Sequence, residues 1–159
     1  MPILEKQSEW RWMEVAREVA MKATCKRSKC GAVIVHAGTI IGEGYNSPPG
    51  ELESRRRCSS EKSSYDPKVT DKTCCVHAEE RAIMDALRRN SDKLSGSRLY
   101  FIRLDGNGSP RFAGEPYCTI CSKMALDVGV GEFVLWREEG MVSYPTDAYD
   151  EISCRYKAE

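Results

Sequence analysis

The chain has 159 residues, 41% of them hydrophobic, and its 24 basic and 24 acidic side chains cancel to a formal net charge of zero. That length predicts a single domain over residues 1–159 with one core, and the charge balance argues against an extended nucleic-acid surface. No apolar run approaches the length of a transmembrane helix, and the Met1–Lys6 start lacks the apolar stretch of an export signal. The 8 cysteines therefore read as reduced thiols or metal ligands of a cytoplasmic protein with no membrane partner.

In chain order, Trp12, Val15, Ala16, Val19, Ala20 and Ala23 fall on one face of a first helix. Gly31 to Val35 and Thr39 to Tyr45 read as strands joined at Ala37-Gly38. An insert follows, about residues 47–75, polar and punctuated by Pro48-Pro49-Gly50 and Arg55-Arg56-Arg57. It is too long for a plain connection, which predicts a functional or metal-clamped segment. Ala78, Ala82, Ile83, Ala86 and Leu87 predict a helix starting at or near His77, with Arg88 and Arg89 suited to its negative C-terminal end. Ser97 to Arg103 is a strand, and Asp105 to Pro110 a turn-rich loop. Cys121, Met124, Ala125 and Val128 predict another helix, stopped by Gly129 and Gly131. Glu132 to Trp136 is the next strand, and Tyr149 to Tyr156 a short helix or a fraying tail within residues 145–159. The order predicts an α/β sheet covered by helices on both faces. Trp10, Trp12 and Trp136 are expected in the core or an interface, His36 at the surface, and Cys154 without a role.

Two motifs carry the chemistry. His77-Ala78-Glu79 supplies an imidazole and, two residues on, a carboxylate. Pro116-Tyr117-Cys118-Thr119-Ile120-Cys121 supplies two thiols at Cys-x-x-Cys spacing. Alone, such a pair of cysteines could be a redox couple, a zinc knuckle or two core thiols. Together, each opening a helix, His77, Cys118 and Cys121 make three ligands for zinc and leave one tetrahedral position open, as a catalytic site requires. Helix N-termini favour the thiolate form. Two thiolates neutralise the ion and weaken it as a Lewis acid, which places more of the proton transfer on Glu79. A structural zinc site would want a fourth protein ligand, for which only Cys74 or Cys75 lies near in sequence.

Gly31-Ala-Val-Ile-Val, Gly44-Tyr45-Asn46 and these two motifs occur in the order found in the cytidine/deoxycytidylate deaminase superfamily. The chain resembles that family from about Trp10 to Trp136. The long insert and Thr24-Cys25-Lys26-Arg27 make it most similar to the deoxycytidylate branch. The resemblance implies a three-layer α/β/α sandwich with a five-stranded mixed sheet. It also implies zinc-dependent hydrolytic deamination of a free pyrimidine nucleotide, dCMP to dUMP, with ammonia released. By the same resemblance, His77, Cys118 and Cys121 are the zinc ligands. Glu79 is the proton shuttle, taking a proton from the attacking water, protonating the ring nitrogen and assisting loss of ammonia. Asn46 contacts substrate, and the Ala78 amide and the Pro116 carbonyl region contact the base.

Two positions depart from the family pattern. Arg81 stands where the branch commonly has Asn, and could pair with a phosphate or be a solvated helix residue. Tyr117 separates Pro116 from Cys118, and could stack on the base or merely cover the site. The Arg55 to Arg57 run could likewise hold a phosphate or be solvated. Deoxycytidylate deaminases can carry an additional zinc, which points to Cys25, Cys58, Cys74 and Cys75 as a structural site clamping the insert. Adjacent cysteines are poorly placed to share one metal, so only one of Cys74 and Cys75 is expected to join Cys25 and Cys58. The expected partners are a nucleotide or nucleoside and further copies of this chain. A deaminase of another small amino-substituted base, such as a purine or pterin, also fits the motif. A nucleic-acid-editing deaminase and a non-enzymatic zinc module are the remaining readings, and the last leaves Glu79 without a purpose.

Overall fold

The computed structural model describes residues 3–4 and 7–158. Its elements are β1 (Ile3–Leu4), α1 (Gln7–Ala20), β2 (Lys29–His36), β3 (Thr39–Tyr45), α2 (Ala78–Asn90), β4 (Arg98–Leu104), β5 (Pro110–Arg111), α3 (Thr119–Val128), β6 (Glu132–Arg137), β7 (Gly140–Pro145) and α4 (Thr146–Cys154). The sheet runs β1-β7-β6-β4-β2-β3, with β5 paired to the end of β4. β4 and β6 are parallel and the other pairs antiparallel. β2, β3, β4, β6 and β7 form the five-stranded mixed sheet that was expected, and the two-residue strands β1 and β5 extend it.

Period-2 alternation divides the sheet's apolar residues between two cores. On one face, Met13, Ala16, Val19 and Ala20 of α1 cover Val33, Val35, Tyr100, Ile102 and Val134. On the other, Ala78, Ala82, Ile83 and Ala86 of α2, Ala125 of α3 and Tyr149 of α4 cover Ala32, Ile34, Ile41, Leu99 and Phe133. The result is the three-layer α/β/α arrangement. Two strand glycines set how close the helices come. A Cβ on Gly44 would fall 2.5 Å from the Ala82 nitrogen, and one on Gly31 2.5 Å from the Ala20 nitrogen. In both cases the obstruction is helix backbone, which cannot swing away. Gly44 thus fixes the depth at which α2, and with it His77 and Glu79, sits on the sheet.

The C-terminal segment differs from expectation. Residues 140–145 form a full strand, and α4 starts at Thr146 directly after it. Ser143 is buried at a sheet position, its hydroxyl bound to Glu132, and this polar residue interrupts the apolar pattern that would have revealed the strand. α4 is packed rather than frayed, burying Thr146, Tyr149 and Ser153. Trp12 and Trp136 pack, partly buried, against the core on the α1 side. Trp10 alone of the three is exposed, at 39%; its ring meets that of Trp136 at 6.0 Å, and Phe112 lies 4.4 Å from Trp136 on the outer side.

The insert holds three single 3-10 turns, Pro49–Glu51, Glu53–Arg55 and Lys62–Ser64, and is anchored through polar contacts. Arg27 donates to the carbonyls of Cys58 (2.9 Å) and Ser60 (2.6 Å). Arg56 donates to the Thr24 carbonyl at 2.8 Å and pairs with Glu53. The Val76 amide closes the insert's base on the Ser47 carbonyl at 3.0 Å. No helix among the described residues is long and apolar enough to cross a membrane.

Candidate metal centre and its cleft

His77 is the N-cap of α2, and its amide is held at 3.1 Å by the Glu80 carboxylate three residues on. Cys118 is the N-cap of α3, with Cys121 in that helix's first turn. α3 follows β4 through the short β5 segment paired to the end of that strand, so its N-terminus lies beyond the carboxyl end of one of the two parallel strands, where open α/β sheets place their ligands. There the fold brings the two motifs together. His77 Nδ1 lies 3.3 Å from the sulfurs of both Cys118 and Cys121. Around a tetrahedral zinc the N···S edge is about 3.5 Å, from the usual Zn–N and Zn–S lengths. The three donors therefore fit zinc by type and by spacing.

The other ring nitrogen of His77, Nε2, stands 3.1 Å from the Thr73 hydroxyl, which in turn donates to Asp71. This chain orients the imidazole and keeps Nδ1 available as a ligand. Thr73 and Asp71 belong to no motif; only the folded insert delivers them.

Electrostatics in the metal-free cluster are tightly linked. Hydrogen bonds from Cys121, and then from His77, hold Cys118 down to about 4. The bond to Cys118 lifts His77 to about 9. Cys121 is pushed up by sharing a proton with Cys118 and by burial. Glu79, 7% exposed, is pushed up chiefly by burial and then by the Cys118 charge. A carboxyl so placed holds and releases protons more readily near neutral pH than a surface glutamate.

These groups open onto a cleft of about 210 Å³. Of the residues expected at the substrate, Asn46, Ala78, Pro116 and Tyr117 line it together with Glu79. Asn46 is fixed from behind. Its Oδ1 accepts the Cys30 amide at 2.8 Å, and its Nδ2 donates to the Ser28 carbonyl at 2.9 Å. Tyr117 is half exposed, its hydroxyl accepting from Arg103 at 2.9 Å and its ring 5.5 Å from Tyr156.

Arg81 is corrected. It lies outside the cleft lining, donates to the carbonyls of Tyr45 and Pro48 at 2.9 Å each, and also bonds to Ser47. It is neither a phosphate ligand nor a solvated residue; it ties α2 to the start of the insert. Of the Arg55 to Arg57 run, Arg56 is committed to Glu53 and Thr24. The sequence reading missed Cys30, Phe101, Arg103 and Tyr149 in the cleft wall.

Cys25, Cys58 and Cys75 also converge, their sulfurs within 4.8 Å of one another. Cys74 is not in that group; its sulfur instead accepts the Arg57 amide at 2.8 Å, as adjacent cysteines on an extended chain must point apart. Burial opposes ionisation of Cys58, but hydrogen bonds from the Lys26 amide and the Arg56 guanidinium bring it down to about 7. Burial keeps Cys75 protonated.

The model of the cytidine and deoxycytidylate deaminase zinc-binding region matches residues 6–136. The chain belongs to that family. It is 29% identical over 133 residues to a deoxycytidylate deaminase of Mycobacterium phage D29, covering 80% of this chain and 92% of that protein. It is 28% identical over 138 residues to the deoxycytidylate deaminase of Schizosaccharomyces pombe, covering 84% of this chain but spanning only 38% of that relative's length. Its fold matches the dCMP deaminase of cyanophage S-TIM5 at a TM-score of 0.57, with 23% identity and 82% of each chain covered.

Proposed function

We propose that this protein hydrolytically deaminates a free pyrimidine nucleotide, dCMP to dUMP, at a zinc held by His77, Cys118 and Cys121. One observation carries the reading: an imidazole nitrogen 3.3 Å from two cysteine sulfurs, beside a buried glutamate in the same cleft. The names of the phage and yeast relatives support the substrate. Zinc bound there would supply a Lewis acid that makes water more acidic, less strongly than at a site without thiolates. Glu79 accepts the proton of the attacking water and passes it to the ring nitrogen, N3. The water oxygen bonds to C4, and Glu79 then carries the proton of the resulting C4 hydroxyl to the amino group, so that the C4–N bond breaks, ammonia leaves and C4 becomes a carbonyl. The Ala78 amide, at the first helical position where no intrahelical acceptor exists, donates to the base. The Pro116 carbonyl region contacts the base, and Asn46, which lines the same cleft, contacts the substrate. Met84 and Leu87, exposed and three residues apart on one face of α2, support self-association.

Ammonia release from zinc-loaded protein, over cytosine, adenine and guanine nucleosides and nucleotides and a single-stranded oligonucleotide, tests this. Deoxycytidylate should be the best substrate. Turnover confined to purines or to the oligonucleotide overturns the reading.

The second thiol cluster is read as a structural zinc site built on Cys25, Cys58 and Cys75. It supplies the insert with binding free energy that its polar sequence cannot obtain from a core. Metal analysis should find about two zinc per chain, falling to about one in Cys58→Ser with deamination retained. A single zinc in fully loaded, active protein removes this site.

A further inference from the structure

We propose that Arg103 binds the 5′-phosphate of the substrate and so sets the preference for a nucleotide over a nucleoside; this rests on the reading of the cleft as a deoxycytidylate site. Sequence offered Arg81 and the Arg55 to Arg57 run for this purpose. Arg81 and Arg56 are occupied by backbone carbonyls and Glu53. Arg27 reaches the cleft but is turned onto the Cys58 and Ser60 carbonyls.

Arg103 is different. It lies on β4 directly across from Cys30 and lines the cleft. One of its nitrogens donates to the Tyr117 hydroxyl at 2.9 Å, while its Nε is buried with no hydrogen-bond partner. Among the described residues no carboxylate pairs with it. The Cys30 thiol beside it is pushed up by burial and stays neutral, so it offers no counter-charge. An arginine cannot shed its proton, and without an anion a half-buried cation whose Nε is sealed from water is costly. An anion that enters the cleft resolves both defects, and the planar guanidinium suits phosphate.

Its position along the strand fits the length of a nucleotide. Phe101, Arg103 and the core residue Leu99 share one face of β4, and Phe101 lines the cleft floor. Arg103 lies one side-chain repeat nearer the mouth, about 6.6 Å along the strand. A base seated over Phe101 beside Glu79 therefore extends its sugar past Asn46 and its phosphate toward Arg103.

The test compares zinc-loaded wild type, Arg103→Gln and Arg103→Lys, measuring turnover of dCMP and deoxycytidine and equilibrium binding of dUMP and deoxyuridine. In Arg103→Gln the nucleotide-to-nucleoside ratio of kcat/KM should fall by about 30-fold, the size of one charge-assisted hydrogen bond, with the change in KM. Binding of dUMP should weaken equally and binding of deoxyuridine should hold. Arg103→Lys, which keeps the charge, should recover part of the loss, whereas general damage to folding would lower nucleotide and nucleoside alike. An unchanged ratio, or equal binding of dUMP by wild type and Arg103→Gln, overturns the assignment. If wild type turns over no cytosine nucleotide but binds dUMP in an Arg103-dependent way, the deaminase reading fails and the phosphate site stands.

Discussion

Replacing Glu79 by Gln should lower kcat on the order of 10³- to 10⁴-fold while leaving the zinc content of the protein unchanged. The factor is that expected from removing a positioned acid–base group. Glu79 is not one of the three donors that converge on one point, so the amide leaves their geometry intact. It is nearly isosteric with the carboxylate and fits the same buried space beside α2. Stability should not suffer. A carboxyl whose folded pKa is raised above its unfolded value subtracts stability as pH rises past the unfolded value. Burial raises Glu79 in this way, so removing its charge at neutral pH costs the metal-free fold nothing. The measurements are metal content, single-turnover deamination and thermal unfolding on one preparation. Undiminished turnover would show that another group moves the proton; loss of zinc would show that Glu79 is a ligand.

The convergence of the two motifs was legible because helix starts and donor spacing are local properties. His77 and Cys118 sit where the apolar patterns of α2 and α3 begin. The strands around Gly31 and Gly44 were legible for the same reason. What sequence could not supply was the third dimension of the polar segments. Arg81 falls on an exposed-looking helix position, and nothing in the spacing says that the insert folds back over it. Thr73 and Asp71 touch His77 only because the insert closes at Ser47 and Val76. Arg103 left a readable trace: a charge on the strand face that carries Leu99 and Phe101. A charge on a buried face signals a ligand or an ion pair, and only the structure shows that the ion pair is missing. The strand at residues 140–145 was hidden by Ser143, whose partner Glu132 lies on a neighbouring strand.

Cys118→Ala should weaken zinc binding at the catalytic position by at least about 100-fold and abolish deamination with it. Loss of a mere supporting residue around a metal costs about 10- to 100-fold in affinity, and on the proposed reading Cys118 is a direct donor. Proton release gives a second readout. At pH 7 the metal-free cluster holds one proton on His77, raised to about 9, and one on Cys121, raised by Cys118 and by burial, while Cys118, near 4, is bare. Zinc needs a neutral imidazole and two thiolates, so its uptake should expel about two protons. Affinity should therefore fall about 100-fold for each pH unit below neutrality until Cys118 itself begins to protonate. In Cys118→Ala the main cause of the raised His77 pKa is gone, so that pKa should fall and any residual zinc uptake should release fewer protons. Zinc titrations in two buffers of different ionisation enthalpy give both numbers. Wild-type affinity in Cys118→Ala would remove this cysteine from the ligand set, and pH-independent zinc binding by wild type would refute the protonation pattern assigned to the cluster.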